Sequence, residues 1–110
     1  MAEVINALLS AGLRDWVMLD EVTWEVMEGD LSAENQAKTL AVLGRLYADG
    51  LMVPGDLTAR GFEDWVGGPA EWLIRSEREL VLFGWKPMGA GFYLRLTELG
   101  KRRAREAQDE

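Results

Sequence analysis

The fold is best predicted from ten consecutive residues, Leu43-Gly44-Arg45-Leu46-Tyr47-Ala48-Asp49-Gly50-Leu51-Met52. They close a helix predicted over residues 33–49, in which Leu43 and Leu46 share an apolar arc. Gly50 stops this helix because glycine adopts left-handed backbone without a Cβ penalty. Residues 51–53 then have the pattern of a strand, and the following Pro54-Gly55 pair is expected to form a type II turn. The segment predicts a helix, a glycine stop and a strand in close succession.

Apolar periodicity on either side of this segment predicts further helices and strands. Before the segment we expect a helix over 2–11 closed by Gly12, a strand over 16–19, and a helix over 21–28. Asp20 is expected to be the N-cap of that helix, with Leu19 and Trp24 as a hydrophobic staple, and Ser32 is expected to cap helix 33–49. After the segment we expect a helix over 70–82 with Pro69 in its first turn, a strand over 92–96, and a last helix capped by Thr97. Phe62 and Trp65 are expected to be buried. Residues 106–110 are expected to fray. The predicted order is α-β-α-α-β-α-β-α, in one α+β domain covering residues 1–110.

Composition excludes several classes of chemistry. The chain has no cysteine and no histidine, which removes disulfides, thiolate nucleophiles, imidazole bases and ordinary zinc sites. No stretch approaches the roughly 18 apolar residues of a membrane span, and no secretory signal is recognisable at the amino terminus. We therefore expect a cytoplasmic protein with no membrane contact and no cofactor.

The net charge of −7 is unevenly distributed along the chain. Residues 1–40 hold eight acids and two bases, whereas residues 86–105 hold six bases and one acid. Proteins that bind nucleic acid more often carry net positive charge, because they must neutralise phosphates. The overall balance therefore disfavours DNA binding, although the basic carboxyl-terminal region moderates that argument.

Two segments together resemble the winged helix-turn-helix domain of small bacterial transcription regulators. Residues 43–52 are similar to the end of a recognition helix that turns through glycine into a first wing strand. The second segment, similar to a returning wing strand followed by the Leu-Thr-x-x-Gly start of a terminal helix, is Phe92-Tyr93-Leu94-Arg95-Leu96-Thr97-Glu98-Leu99-Gly100-Lys101. The resemblance implies a winged helix-turn-helix with an extra helix, over 70–82, inserted between the wing strands. That insertion departs from a simple wing and puts a DNA-probing role for the wing in doubt.

If the chain binds double-stranded DNA, helix 33–49 is expected to enter the major groove with Lys38 and Arg45, which lie seven positions apart on its outer face. The alternative is a solvated helix surface, with Glu34 paired to Lys38.

The same outer face carries a stripe of small residues that permits close helix packing, within this chain or with a partner: Ala37, Ala41, Gly44 and Ala48. The one dense basic cluster is a candidate for contacts with DNA phosphates or with an acidic partner, although cations near a helix end are also favourable without any ligand. It consists of Lys101, Arg102, Arg103 and Arg105.

Tryptophans are numerous for a chain of this length. We assign Trp16 and Trp24 to the core, and we expect Trp72 and Trp85 to be exposed and to contact a partner. Acidic residues such as Glu21, Glu25 and Glu28 share a helix face but lack a nucleophile or a metal-loop pattern, so an anionic surface is favoured over catalysis.

The sequence predicts a DNA-binding winged-helix regulator, a homodimer that is not an enzyme. The alternative is a winged-helix protein-interaction module that does not bind DNA, with a protein partner contacted through Trp72 and Trp85. A shared core is expected to contain Leu8, Leu40, Leu43, Leu46, Met52 and Leu96.

Overall fold

The computed structural model describes residues 1–109, which form five helices and four strands. In chain order these are α1 (Ala2–Arg14), β1 (Val17–Met18), α2 (Leu19–Met27), α3 (Ala33–Ala48), β2 (Met52–Thr58), β3 (Gly61–Asp64), α4 (Pro69–Leu82), β4 (Tyr93–Leu96) and α5 (Glu98–Gln108). No helix in this part of the chain combines the length and the apolar character needed to cross a bilayer.

The strands form one antiparallel sheet in the order β1-β4-β2-β3. The last strand in sequence, β4, therefore lies inside the sheet: Leu94 pairs with Val17 of β1 on one side and with Pro54 of β2 on the other. The expected α+β class is confirmed. The extra helix is present as α4, between β3 and β4.

Capping residues in the sequence predict several helix ends correctly. The Ser32 hydroxyl accepts a hydrogen bond from the Asn35 backbone N–H at 3.2 Å, and the Thr97 hydroxyl accepts one from that of Gly100 at 2.9 Å. These side chains satisfy backbone donors that a helix start leaves without partners. Gly50 has a φ of 69°, the left-handed conformation that ends α3.

Other helix boundaries differ from expectation. Helix α1 runs through Gly12 to Arg14, and α2 begins at Leu19, so neither the Gly12 stop nor the Asp20 cap and its Leu19–Trp24 staple is correct. Helix α5 continues through Gln108, whose side chain donates to the Ser10 hydroxyl at 3.1 Å. The fraying expected for residues 106–110 stays a prediction, and Glu110 lies outside the described residues.

The predicted type II turn at Pro54-Gly55 is wrong, because both residues lie within β2. The chain instead reverses at Ala59-Arg60, and Gly61 follows with a φ of 101° and opens β3, a strand that the sequence did not reveal. Gly55 is required inside β2 for a reason other than a turn. A Cβ there would collide with the Glu63 carbonyl oxygen and with the Phe62 ring.

The core lies between the sheet and the helices. It contains five of the six residues expected to share it, all fully or almost fully buried, while Leu40 packs against it from a half-buried position. Trp65 is buried as expected and its ring contacts that of Phe92, with centroids 4.5 Å apart, whereas Phe62 is only half-buried.

The inserted helix α4 packs along α3. Trp72 and Ser76 contact Tyr47, and a Cβ on Gly44 would lie 3.4 Å from Leu73. These contacts join the second half of α3 to the first half of α4. One member of the predicted small-residue stripe, Gly44, is thereby covered within the chain, while the other three remain exposed: Ala37, Ala41 and Ala48.

Candidate functional site

The two α3 bases proposed for DNA contact are both exposed on the same side of the helix. Arg45 forms an ion pair with Asp49, with Nε 3.2 Å from Oδ2. Within residues 1–109 Lys38 has no ion-pair partner, and the expected pairing with Glu34 does not form. The free side of α3 thus offers one unpaired lysine and one arginine that is already engaged.

The four α5 bases do not form a single surface. Ala104 and Gly100 are buried against the rest of the fold, and the bases spread around the remaining circumference. Lys101 lies 3.3 Å from Glu98 and lines a depression beside Trp16, whereas Arg103 lies on the opposite side of α5, in a depression that also contains Arg45. Arg102 and Arg105 are exposed. Of the six proposed DNA-binding residues, the structure places only Arg45 and Arg103 in one shared depression.

An apolar groove opens between α2 and the loop that follows α4. Its volume is about 490 Å³, within the range of roughly 300–1,000 Å³ typical of ligand sites. The apolar side chains that line it are Trp24, Met27, Leu31, Trp85, Pro87 and Met88. We refer to this set as the apolar groove.

The tryptophan assignments need correction at this groove. Trp24 was assigned to the core but is 63% exposed, and Trp16 is 41% exposed at its contact with Phe62. Trp72 and Trp85 were expected to be exposed but are both half-buried. Trp72 donates its indole N–H to the Val66 carbonyl at 3.0 Å and belongs to the α3–α4 contact, whereas Trp85 packs against the core and still lines the groove.

Left-handed backbone at residues other than glycine is concentrated around the apolar groove. Among the described residues, the only non-glycine positions with positive φ are Glu28 (46°), Trp85 (64°) and Met88 (50°). Trp85 and Met88 line the groove, and Glu28 stands between the lining residues Met27 and Gly29. Such backbone costs of order 1–3 kcal/mol per residue and is found preferentially at functional sites.

The polar side chains on the α2 side of the groove are engaged within the fold. The Thr23 hydroxyl donates to the Asp20 carbonyl at 3.0 Å, and the Asp20 carboxylate accepts a hydrogen bond from the Gly89 backbone N–H. The second contact ties the loop after α4 to α2. No side-chain nitrogen or oxygen that is buried in the described chain lacks a hydrogen-bond partner. The groove is therefore largely apolar, and Lys86 is the one lining side chain with a free charged group.

One flank of the groove is acidic. Residues 15–37 contain seven acidic side chains and no lysine or arginine. Glu21, Glu25 and Glu28 follow Trp24 around the circumference of α2, and none of them has an ion-pair partner in the part of the chain described. In residues 1–109 no group of three or more carboxylates is placed to hold a metal ion. The expected anionic surface is present, and it borders an apolar groove.

Comparison with protein-family models, with curated proteins and with solved structures gives no match.

Sequence reasoning found Trp85 and missed the rest of the groove. Trp24 is spaced like a core residue on α2, and nothing in the local pattern distinguishes the groove side of that helix from its buried side. Met88 lies in the glycine-rich loop of residues 84–91, and loops of this kind often carry binding residues. That general signal was the one available clue to its position.

Proposed function

We propose that this chain is a cytoplasmic winged-helix module that binds a protein partner through the apolar groove. The observation that carries the proposal is the exposure of Trp24 and Met88, 63% and 85%, at one groove whose walls contain strained backbone. Tryptophan and methionine are enriched at protein interfaces, where a few large apolar anchors supply most of the binding energy.

The winged-helix assignment is part of this proposal. It is supported by three helices before β2, by the short β1 at the sheet edge, and by the antiparallel pairing of β4 with both β1 and β2. In this interpretation β2 and β4 are the wing strands, and β3 with α4 forms the insertion between them.

DNA binding is the second candidate, and one observation favours it: Lys38 and Arg45 share the exposed side of α3. Three features weigh against it. Arg45 is paired with Asp49, the α5 bases point to different sides, and the net charge is −7. A DNA-binding surface needs several bases facing the same phosphates, because each contact adds to affinity by releasing counterions.

Selection of a random peptide library against the purified chain tests the proposed interaction. Peptides recovered on the wild-type chain are expected to bind the Trp24→Ala variant at least about tenfold more weakly, as for loss of an aromatic anchor. Val66→Ala is the matched control, because Val66 is exposed and apolar but lies outside the groove. Recovery of no peptide, or of peptides that bind Trp24→Ala and wild type equally, overturns the proposal.

Duplex binding at about 50 mM salt, where phosphate contacts are strong, tests the DNA candidate. We expect no detectable binding by the wild-type chain. Binding whose salt slope falls by about one unit in both Lys38→Ala and Arg45→Ala would instead support a DNA-binding regulator.

A further inference from the structure

We infer that the partner segment received by the apolar groove is an amphipathic helix whose flank carries Lys or Arg toward α2. This inference rests on the proposed interaction function and specifies the chemistry of its partner.

The walls of the groove favour a helical partner over an extended one. Every lining residue belongs to α2, to the segment that follows it, or to the loop after α4, and none belongs to a strand. An extended peptide binds best by adding to a free strand edge, which satisfies its backbone N–H and C=O groups. Here it would press those groups against tryptophan, methionine and proline side chains. A helix satisfies its own backbone and presents apolar anchors at positions i, i+3 or i+4, and i+7.

The polar groups of the groove make a small polar ligand a poorer occupant. Thr23 and Asp20 are hydrogen-bonded within the fold, which leaves Lys86 as the one free charged side chain in the lining. Met27 and Met88 supply flexible thioether side chains, which adapt to apolar side chains of different shapes. An apolar helix face fits these properties.

Charge complementarity determines which charges the partner helix carries on the side that faces α2. Trp24 lies one turn from Glu21 on α2 and from Glu28 at the C-cap of that helix, and Glu25 follows Trp24 directly. Because these carboxylates have no ion-pair partner in the described chain, a cation brought beside them gains an interaction without breaking one. Lys86 is the one base among the lining residues and lies on the opposite wall, in the loop after α4. The bases of the partner helix therefore face α2 and not the loop.

Three synthetic 18-residue peptides test the inference. The first repeats leucine at helical spacing with lysine at the remaining positions, the second replaces each lysine by glutamate, and the third scrambles the first so that its leucines no longer share a face. Binding is measured by anisotropy of labelled peptide, and circular dichroism reports helix formation. We expect the leucine–lysine peptide to bind with a gain of helix, and both other peptides to bind at least about tenfold more weakly.

Variants of the protein distinguish the groove from general attraction to an acidic chain. Trp24→Ala and Met88→Ala are each expected to weaken the leucine–lysine peptide severalfold. The double variant Glu25→Gln with Glu28→Gln should weaken it and also reduce its salt dependence. The matched control is Glu63→Gln with Glu77→Gln, which removes the same charge from exposed positions outside the groove and should have little effect.

The outcomes separate this inference from the proposed function. Equal binding of the leucine–glutamate peptide overturns the charge inference, whereas Trp24-dependent library peptides would still support an interaction module. Binding without a gain of helix overturns the helical inference. Loss of affinity that is equal in the two charge variants, or no loss in Trp24→Ala, places the peptide elsewhere and also overturns it. Failure of all three designed peptides overturns it as well, and the library selection then decides the proposed function by itself.

Discussion

The Tyr47 hydroxyl lies 2.8 Å from the Ser76 hydroxyl in the buried contact between α3 and α4. Ser76 donates its own proton to the Trp72 carbonyl oxygen at 2.7 Å, so Tyr47 is the donor in this pair. The bond fixes α4 against α3. Because α4 leads directly into the loop that carries Trp85 and Met88, the same bond helps to position one wall of the apolar groove.

Removal of the Tyr47 hydroxyl and removal of the Ser76 hydroxyl are expected to reduce the free energy of unfolding by different amounts. In Tyr47→Phe, Ser76 keeps its bond to Trp72, so the expected loss is about 1 kcal/mol, near that of an ordinary hydrogen bond. In Ser76→Ala, the Tyr47 hydroxyl is left buried without its acceptor, and the expected loss is larger, about 1–3 kcal/mol. Urea unfolding of both variants checks this order, and a smaller loss in Ser76→Ala than in Tyr47→Phe would contradict it.

Alkaline pH should destabilise the protein through Tyr47. Burial raises the pKa of this phenol well above its usual value of 10.0, and the nearby Glu79 carboxylate raises it further despite the opposing Ser76 bond. The unfolded chain therefore loses the proton first as pH rises. The free energy of unfolding therefore keeps its full value with respect to Tyr47 below about pH 10. Above that pH it declines by up to about 1.4 kcal/mol per pH unit.

Unfolding free energies at pH 10 and 11 test this dependence. Wild type should lose about 1 kcal/mol more over this interval than Tyr47→Phe, which lacks the titrating group. Parallel losses in the two proteins would show that other groups account for the alkaline response.

The register of α3 predicts the effect of Leu43→Ala. Leu43 is 0% exposed within the core, and truncation of a buried leucine costs about 2–5 kcal/mol. Lys38→Ala on the free side of the same helix should change stability by no more than about 0.5 kcal/mol. Chemical denaturation measures both, and a loss below about 1 kcal/mol for Leu43→Ala would be incompatible with this packing.

The left-handed backbone at Glu28 predicts a stabilising substitution beside the groove. Glycine adopts a φ of 46° without the Cβ penalty that other residues incur. Glu28→Gly should therefore be more stable than Glu28→Ala by about 1 kcal/mol, although both remove the carboxylate. Thermal unfolding of this pair is the measurement, and equal midpoints would argue against strain at this position.

Features that depend on neighbouring residues were predictable from the sequence. The Ser32 and Thr97 caps, the Gly50 stop and the start of α4 at Pro69 each follow from interactions within a few positions. Gly55 is required for a different reason. Its missing side chain makes room for Phe62 on the adjacent strand, and a tertiary requirement of that kind looks like a turn signal in the sequence.

The apolar groove was not predictable for a related reason. Its walls come from residues 20–31 and residues 85–88, which are brought together by the packing of α4 on α3 and by the contact between Asp20 and Gly89. A helical periodicity shows that Trp24 belongs to one side of α2, but not whether that side is covered. The exposure of Trp24 is decided by where the inserted segment ends.

The position of β4 has a consequence for how the chain folds. Because this strand lies between β1 and β2, Val17 has no partner until Leu94 arrives, and Met52 none until Leu96 arrives. The β2–β3 hairpin can form locally, but the sheet cannot close before residues 93–96 have been synthesised. Long-range pairing of this kind slows folding and leaves apolar strands unpaired on the ribosome. The four-stranded sheet is therefore expected to form only after β4 has left the ribosome, when β1 and β2 gain their shared partner.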